Sequence, residues 1–405
     1  MQSFLQLVAH NLYAKIGNDL SRTALIFPNK RANLFFNEYL AGESDQPIWS
    51  PAAMSISDLF QKLSVQKSGD PIRLVCELYK VFKEETQSQE TLDDFYFWGE
   101  LLISDFDDVD KNMVDADKLF SNLQDLKNLM NDYEFLDKEQ EEAIQQFFQN
   151  FSIERRTELK EKFISLWDKL GTIYHRYREN LTELGIAYEG MLYRNVIEQL
   201  DTDQLKYDKY IFVGFNVLNK VENEFFRKLK DAGKALFYWD YDIFYTQQIR
   251  KHEAGEFLKR NLGEFPNELP ESFFDTFKEP KKIRYISAST ENAQARFLPE
   301  WIKMITDNHS QIAEEKEKEN AVVLCNEALL LPVLHSIPQE VKNVNITMGF
   351  PLAQTPVYSF INAAMELQTN GYRSDTGRFT YEAVSAILKP VSYTHLRAHE
   401  TRSNL

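Results

Sequence analysis

The chain is poor in the residues from which metal and nucleotide sites are built. Only 2 cysteines occur in 405 residues, Cys76 and Cys325, with no Cys-x-x-Cys pair and no Cys/His cluster. That excludes a structural zinc site of the usual kind, and two isolated thiols suit a reducing compartment. Glycine is also sparse, at 14 residues. Neither the Gly-x-x-x-x-Gly-Lys-Ser/Thr loop nor the Gly-x-Gly-x-x-Gly fingerprint occurs, so neither familiar backbone cradle for phosphate is present. Gly17-Asn18-Asp19 precedes the first strand-like run but lacks the Lys-Ser/Thr partner. An excess of positive charge is missing too, the formal net charge being -16. A protein that neutralises nucleic-acid phosphates alone is usually basic. DNA contact would therefore need a local basic strip, a partner or a further part of the protein, while the acidic excess favours solubility. No apolar run approaches the roughly 18 residues of a membrane span. Met1-Gln2-Ser3-Phe4 lacks the basic segment and apolar run of a leader. The expectation is a cytoplasmic protein without membrane contact, metal or cofactor.

Large apolar side chains are abundant. Thirty Phe and 19 Tyr within a 43% hydrophobic composition supply ample core for a folded protein. At about 100–200 residues per domain, two or three domains are expected. Phe4, Leu5, Val8, Leu12 and Ile16 share a helical stripe, and Thr23–Phe27 reads as a buried strand. Pro28-Asn29 breaks it, and Lys30–Leu40 resumes a helical pattern. Met54–Ser57 reads as a second short strand or turn, with Ser57 as the N-cap of a helix from Asp58. From Pro71 to about Leu200 helical periodicity dominates, with breaks near Gln87–Glu90, Asp107–Asp110, Asn131–Asp137 and Gly185. Strand signals return at Tyr210–Val213 and Ala235–Trp239, with a helix over Asn219–Lys230 between them. After a Pro-rich acidic stretch come strand-like runs at Ile283–Ile286, Ala321–Leu324 and Val344–Thr347. They alternate with helical patterns at Ala293–Ile305, Ala328–Ser336 and Val357–Leu367. Strands alternating with helices argue for an α/β fold with parallel sheets covered on both faces.

Few positions carry chemistry. Lys30 and Arg31, just after the first strand, are the candidate nucleic-acid contacts, because phosphates dock at helix starts that follow strands. A motor site needs a carboxylate at the matching strand end. Here that end is Gly214-Phe215-Asn216, which carries no acid, and Glu222 and Glu224 on the next helix read as a solvated face. Glu158-Leu159-Lys160 matches the short Glu-x-Lys element of a metal-dependent nuclease. It lies in a helical stretch and recurs by chance in a Glu- and Lys-rich chain, so no catalytic residue is assigned. Asp105-Phe106-Asp107-Asp108-Val109-Asp110 lacks the Gly and Glu register of a calcium loop and reads as exposed acids at a helix end. Phe95-Tyr96-Phe97-Trp98 reads as a helical core stripe rather than a base-stacking platform.

A βα domain interrupted by a long helical block, then resumed and followed by a second βα domain, is the plan of superfamily 1 helicases. Several segments resemble the AddB/RecC-type subunits of bacterial helicase–nucleases: Leu25–Ala32, Phe95–Asp110, Phe212–Glu222 and Met348–Val357. The resemblance spans about residues 1–389. It implies two RecA-like domains with a large all-helical insertion: 1–64 and 206–265 form the first domain, 65–205 the insertion, 266–280 a linker, and 281–389 an incomplete second domain. It further implies a non-catalytic, helicase-like scaffold in double-strand-break repair, paired with an AddA/RecB-like motor and meeting DNA through the complex. In that reading Gly214 and Phe215 mark a degenerate motor-motif strand end, and the PD-(D/E)xK nuclease of the full-length parent lies beyond residue 389. An acidic adaptor with no DNA role, and a degenerate ATP-dependent helicase, are the alternatives. Residues 390–405 resemble a translated sequencing adapter, so His395 and His399 are not offered as ligands despite their i, i+4 spacing.

Overall fold

The computed structural model describes residues 2–120, 169–247, 253–305 and 320–388. Glu158-Leu159-Lys160 and the tail 390–405 lie outside the described residues. Two compact units are present, Met1–Pro280 and Lys281–Leu405.

The first unit is built on a four-stranded parallel sheet. Its strands are β1 (Thr23–Phe27), β2 (Ala52–Ser55), β5 (Lys209–Val213) and β6 (Ala235–Tyr238), in the order β2-β1-β5-β6. In register, Ile26 lies opposite Met54 on one side and Phe212 on the other, and Phe212 in turn opposite Phe237. The strands read as near-continuous apolar runs because both faces are covered. Alternate side chains go to opposite cores. Leu25, Phe27, Ile211, Val213 and Tyr238 pack against Val8 and Leu12 of α1 (Phe4–Ile16) and Phe36 and Leu40 of α2 (Ala32–Ala41). Ala24, Ile26, Tyr210, Phe212 and Phe237 face the other way, into a larger core. There Phe212 stacks on Phe237 with ring centroids 5.5 Å apart and meets Phe226 at 3.9 Å.

That larger core is shared with the helical block. Its helices are α3 (Ile56–Leu63), α4 (Pro71–Thr86), α5 (Leu92–Lys111), α6 (Leu170–Glu183) and α7 (Glu189–Gln199), followed after β5 by α8 (Lys220–Asp231). The starts of α4 and α5 have local causes. Asp70 caps α4 ahead of Pro71 at its first turn, and Thr91 with Asp94 forms a capping box on α5. Phe60 of α3 stacks on Tyr193 of α7 at 4.1 Å and lies 5.1 Å from Phe225 of α8, whose ring meets Phe212 of β5 at 6.2 Å, joining the block to the sheet. Two-residue strands β3 (Lys67–Ser68) and β4 (Ile186–Ala187) pair in parallel at its base, so the block is not wholly helical.

Several sequence expectations change. The cap of α3 is Ser55, two residues earlier than Ser57, because Asp58 completes a capping box with Ser55. Helix α5 runs through Asp107–Asp110 without a break. The stretch expected as a linker is packed in the first unit. Leu269 and Phe274 are buried, Asn267 bridges to the β6 edge, and Asp242 accepts hydrogen bonds from the backbone N–H of Thr276 and Phe277 at 3.0 and 2.9 Å. That segment also contacts the β6 edge of the sheet.

In the second unit, α9 (Glu291–Arg296), α10 (Leu298–Ile305) and α11 (Leu330–Ser336) gather around Ala295, Leu298 and Val333. Helices α12 (Pro356–Thr369) and α13 (Tyr381–Leu388) pack together, with a hairpin of β7 (Tyr372–Arg373) and β8 (Arg378–Phe379) between them in sequence. The runs Ile283–Ile286, Ala321–Leu324 and Val344–Thr347, expected as strands, form no ladder among the described residues. Tyr285 is 90% and Val323 85% exposed, whereas a parallel strand is stable when both its faces are buried. The fold is therefore mixed α/β, with a parallel four-stranded sheet among the described residues.

Gly190 sets the contact between α5 and α7. A Cβ there would lie 2.4 Å from the carbonyl oxygen of Asp107, too close without moving backbone. Gly190→Ala is expected to destabilise the chain by about 1–3 kcal/mol, as overpacking does, read as a lowered urea midpoint at unchanged m-value.

Candidate functional site

The strand order reverses between β1 and β5, since β1 continues to β2 on one side and to β5 on the other. In open α/β sheets the crevice outside the carboxyl ends of such strands is where ligands bind. Both sets of sequence-derived residues fall there: Lys30 and Arg31 follow β1, and Gly214 and Phe215 follow β5.

Their surroundings differ from those of a nucleotide site. The side-chain oxygen of Asn29 accepts from the N–H of Arg31 at 3.1 Å and of Ala32 at 3.4 Å. The chain's own carboxamide thus occupies the start of α2, where a phosphate would seek its donors. Lys30 Nζ lies 3.0 Å from Asp58 Oδ1 at the start of α3. Arg31 is exposed and makes no ion pair with a described residue. Gly214 has φ +74, a left-handed turn, and donates its N–H to the Tyr238 carbonyl at 2.9 Å. The turn drops Phe215 into the core, 5% exposed, with its ring 5.3 Å from that of Phe226. Phe215 is thus a packing residue. Glu222, read from sequence as solvated, closes a capping box with Asn219 and is partly buried.

The acidic run in α5 is organised in a way the sequence reading missed. Asp110 is fully buried. It accepts from Tyr174 Oη at 2.6 Å and from Tyr188 Oη, pairs with Arg178 of α6, and meets Arg194 Nη1 of α7 at 3.3 Å. Burial and the neighbouring Asp110 push the Tyr174 phenol up to about 12 and raise Tyr188 as well. Burial opposes charge on Arg178 and Arg194, but it is outweighed, chiefly by the Asp110 carboxylate at Arg178 and by the Glu198 hydrogen bond, with Tyr174 and Asp110 behind it, at Arg194, and both values rise. Asp107, one turn earlier, accepts from the Gly190 N–H at 2.5 Å, capping α7, which has no side-chain cap of its own. Lys111 Nζ reaches Asp107 at 2.7 Å and Glu189 at 2.6 Å. Of the run, Asp105 is exposed as expected, whereas Asp107 and Asp110 are turned to internal partners. The signal was available: Phe106, Val109 and Asp110 fall on one buried stripe of α5. In the neighbouring aromatic run Phe95 is core, whereas Phe97 is 70% exposed.

Beside Asp110 lies an open cavity of about 420 Å³, lined in part by Met113, Asp115, Tyr174, His175, Arg178 and Arg194. Its charges are paired: Asp115 with Lys118 at 3.3 Å, His175 with Asp117 at 2.7 Å and Arg194 with Glu198 at 2.9 Å. No group of three or more His, Cys, Asp or Glu among the described residues is placed to hold a metal ion, and no helix among them is long and apolar enough to cross a membrane. No protein-family model matches the chain, and no curated protein matches it.

Removing a buried carboxylate strands its partners. Asp110→Ala is expected to cost about 3–5 kcal/mol of stability in urea unfolding, with Asp110→Asn costing less. Glu222 gives a pH signature. Burial raises its folded value above the ordinary 4.5, against the Asn219 N–H and Lys111, with Glu189 adding repulsion. Its contribution is full below the ordinary value and falls away as pH rises through the raised one. Glu222→Gln should flatten that dependence, so its stability relative to the parent improves from pH 4 to pH 7, measured by unfolding across that range.

Proposed function

We propose that this chain is the non-catalytic, helicase-like scaffold region of an AddB-type subunit, acting in double-strand-break end processing and recombinational repair. One observation carries the reading. A parallel sheet is split in sequence by a helical block between β2 and β5, and its switch point has a turn in which Asn29 takes up the N–H groups of Arg31 and Ala32 and a strand end without an acid. A sheet of motor type without motor chemistry fits a subunit that guides DNA while an AddA/RecB-like partner supplies ATP hydrolysis. In this reading residues 281–389 are the second, incomplete RecA-like domain, and the complex works in the cytoplasm. The net charge of -16 supports a division of labour in which the partner supplies most phosphate contacts.

Lys30 and Arg31 are the residues through which this chain meets DNA. With the chain assembled on an AddA/RecB-like motor, Lys30→Glu plus Arg31→Glu is expected to weaken binding of a blunt-ended labelled duplex by roughly tenfold at low salt, with a shallower salt dependence. Labelled ATP with Mg²⁺ should not bind the isolated chain. Unchanged DNA affinity, together with failure to co-purify with such a motor, would favour the acidic-adaptor reading. ATP binding lost on Mg²⁺ chelation would favour a degenerate helicase.

A further inference from the structure

We propose that Asp58 is a built-in competitor for the DNA phosphate at Lys30, so that the β1–α2 turn is held by the chain's own carboxylate until a phosphate displaces it. This rests on the DNA-contact reading of Lys30 and Arg31 and adds a regulatory contact to it. The geometry has three parts. Asp58 Oδ1 lies 3.0 Å from Lys30 Nζ, while its other oxygen accepts from Ser55 Oγ at 2.7 Å and from the Ser55 N–H at 3.2 Å. The carboxylate is thus fixed by the helix cap, whereas Lys30 keeps 75% of its side chain exposed and can swing to another anion. Asp58 also stays charged: its Ser55 hydrogen bonds hold it low, burial works against them, and Lys30 adds to the lowering. Next to this held lysine, Arg31 has no ion pair with a described residue, so the turn carries one restrained cation and one unrestrained cation. An exposed ion pair is weak enough to be exchanged and strong enough to be felt, about two- to fivefold in an equilibrium.

The test is DNA affinity of the assembled full chain, with a fluorescently labelled blunt-ended duplex. Asp58→Asn should tighten binding about two- to fivefold and steepen the salt dependence by about one phosphate contact, while lowering the melting temperature through the damaged cap. Asp58→Ser, which keeps a hydroxyl for the cap, serves if the first variant folds poorly. In the parent Lys30→Ala should cost less affinity than Arg31→Ala, and in the Asp58→Asn background the two should cost about the same. If Asp58→Asn and Asp58→Ser leave affinity unchanged while the double charge reversal at Lys30 and Arg31 weakens binding, the competitor role is overturned and the DNA contact stands. If the double reversal also has no effect, the contact itself is wrong and the competitor role falls with it.

Discussion

The Asp110 carboxylate is the fixed point on which the helical block depends. It is fully buried, and a buried charge persists only where hydrogen bonds and counter-charges replace the water it has lost. Here two arginines and two tyrosines from α6, β4–α7 and α7 do so. Such a cluster adds little net stability over a well-packed apolar one. Its effect is to reject other arrangements, because any slip of α6 or α7 along α5 would strip the buried Asp110 carboxylate of its partners. Asp107 reinforces the same register one turn away by capping α7, and the bare Cα of Gly190 lets the two backbones approach.

The sheet and the block are one structure energetically. Phe212, Phe226, Phe60 and Tyr193 belong to the same buried cluster as Leu78 and Tyr177, so the block cannot swing as an independent domain without exposing large aromatic surface. This rigidity matters at the switch point. There Asn29 accepts from the N–H groups of Arg31 and Ala32 ahead of α2, and Ser55 with Asp58 caps α3. Where a nucleotide enzyme leaves helix starts open to its ligand, this chain satisfies donors there internally and leaves the Lys30 and Arg31 side chains exposed.

Much of this was legible in the sequence where the pattern is local. The stripe of α1, the strand Thr23–Phe27, the turn at Gly214 and the strand after Gly233-Lys234 follow from apolar period and breakers, and they stand within a residue or two in the structure. What failed depended on distant partners. Asp107 and Asp110 look like solvent-facing acids until α6 and α7 bring arginine and tyrosine to them. Phe215 looks like a strand-end residue until Gly214 turns it under Phe226. The runs Ile283–Ile286, Ala321–Leu324 and Val344–Thr347 have strand composition, yet a strand is a relation between neighbours, and local composition cannot supply them. The candidate cations Lys30 and Arg31 were legible by position, but the carboxylate that holds Lys30 was not, because α3 begins earlier than its most obvious cap.

The interleaved order of the sheet has a consequence for how the molecule is made. At the edge of the β1–β5 pairing, Arg22 is joined to Asp208 across 186 residues, and the whole helical block lies in that interval. During synthesis β1 and β2 leave the ribosome with α1 and α2 able to cover one face, while the other face and the β5 side of β1 wait for chain not yet translated. Closing so long a loop costs entropy that grows only slowly with length but must be met before the central pairing yields any return. Folding is thus expected to be slow, with an apolar half-sheet exposed for much of translation, the state that holdase chaperones recognise and that aggregates when they are scarce.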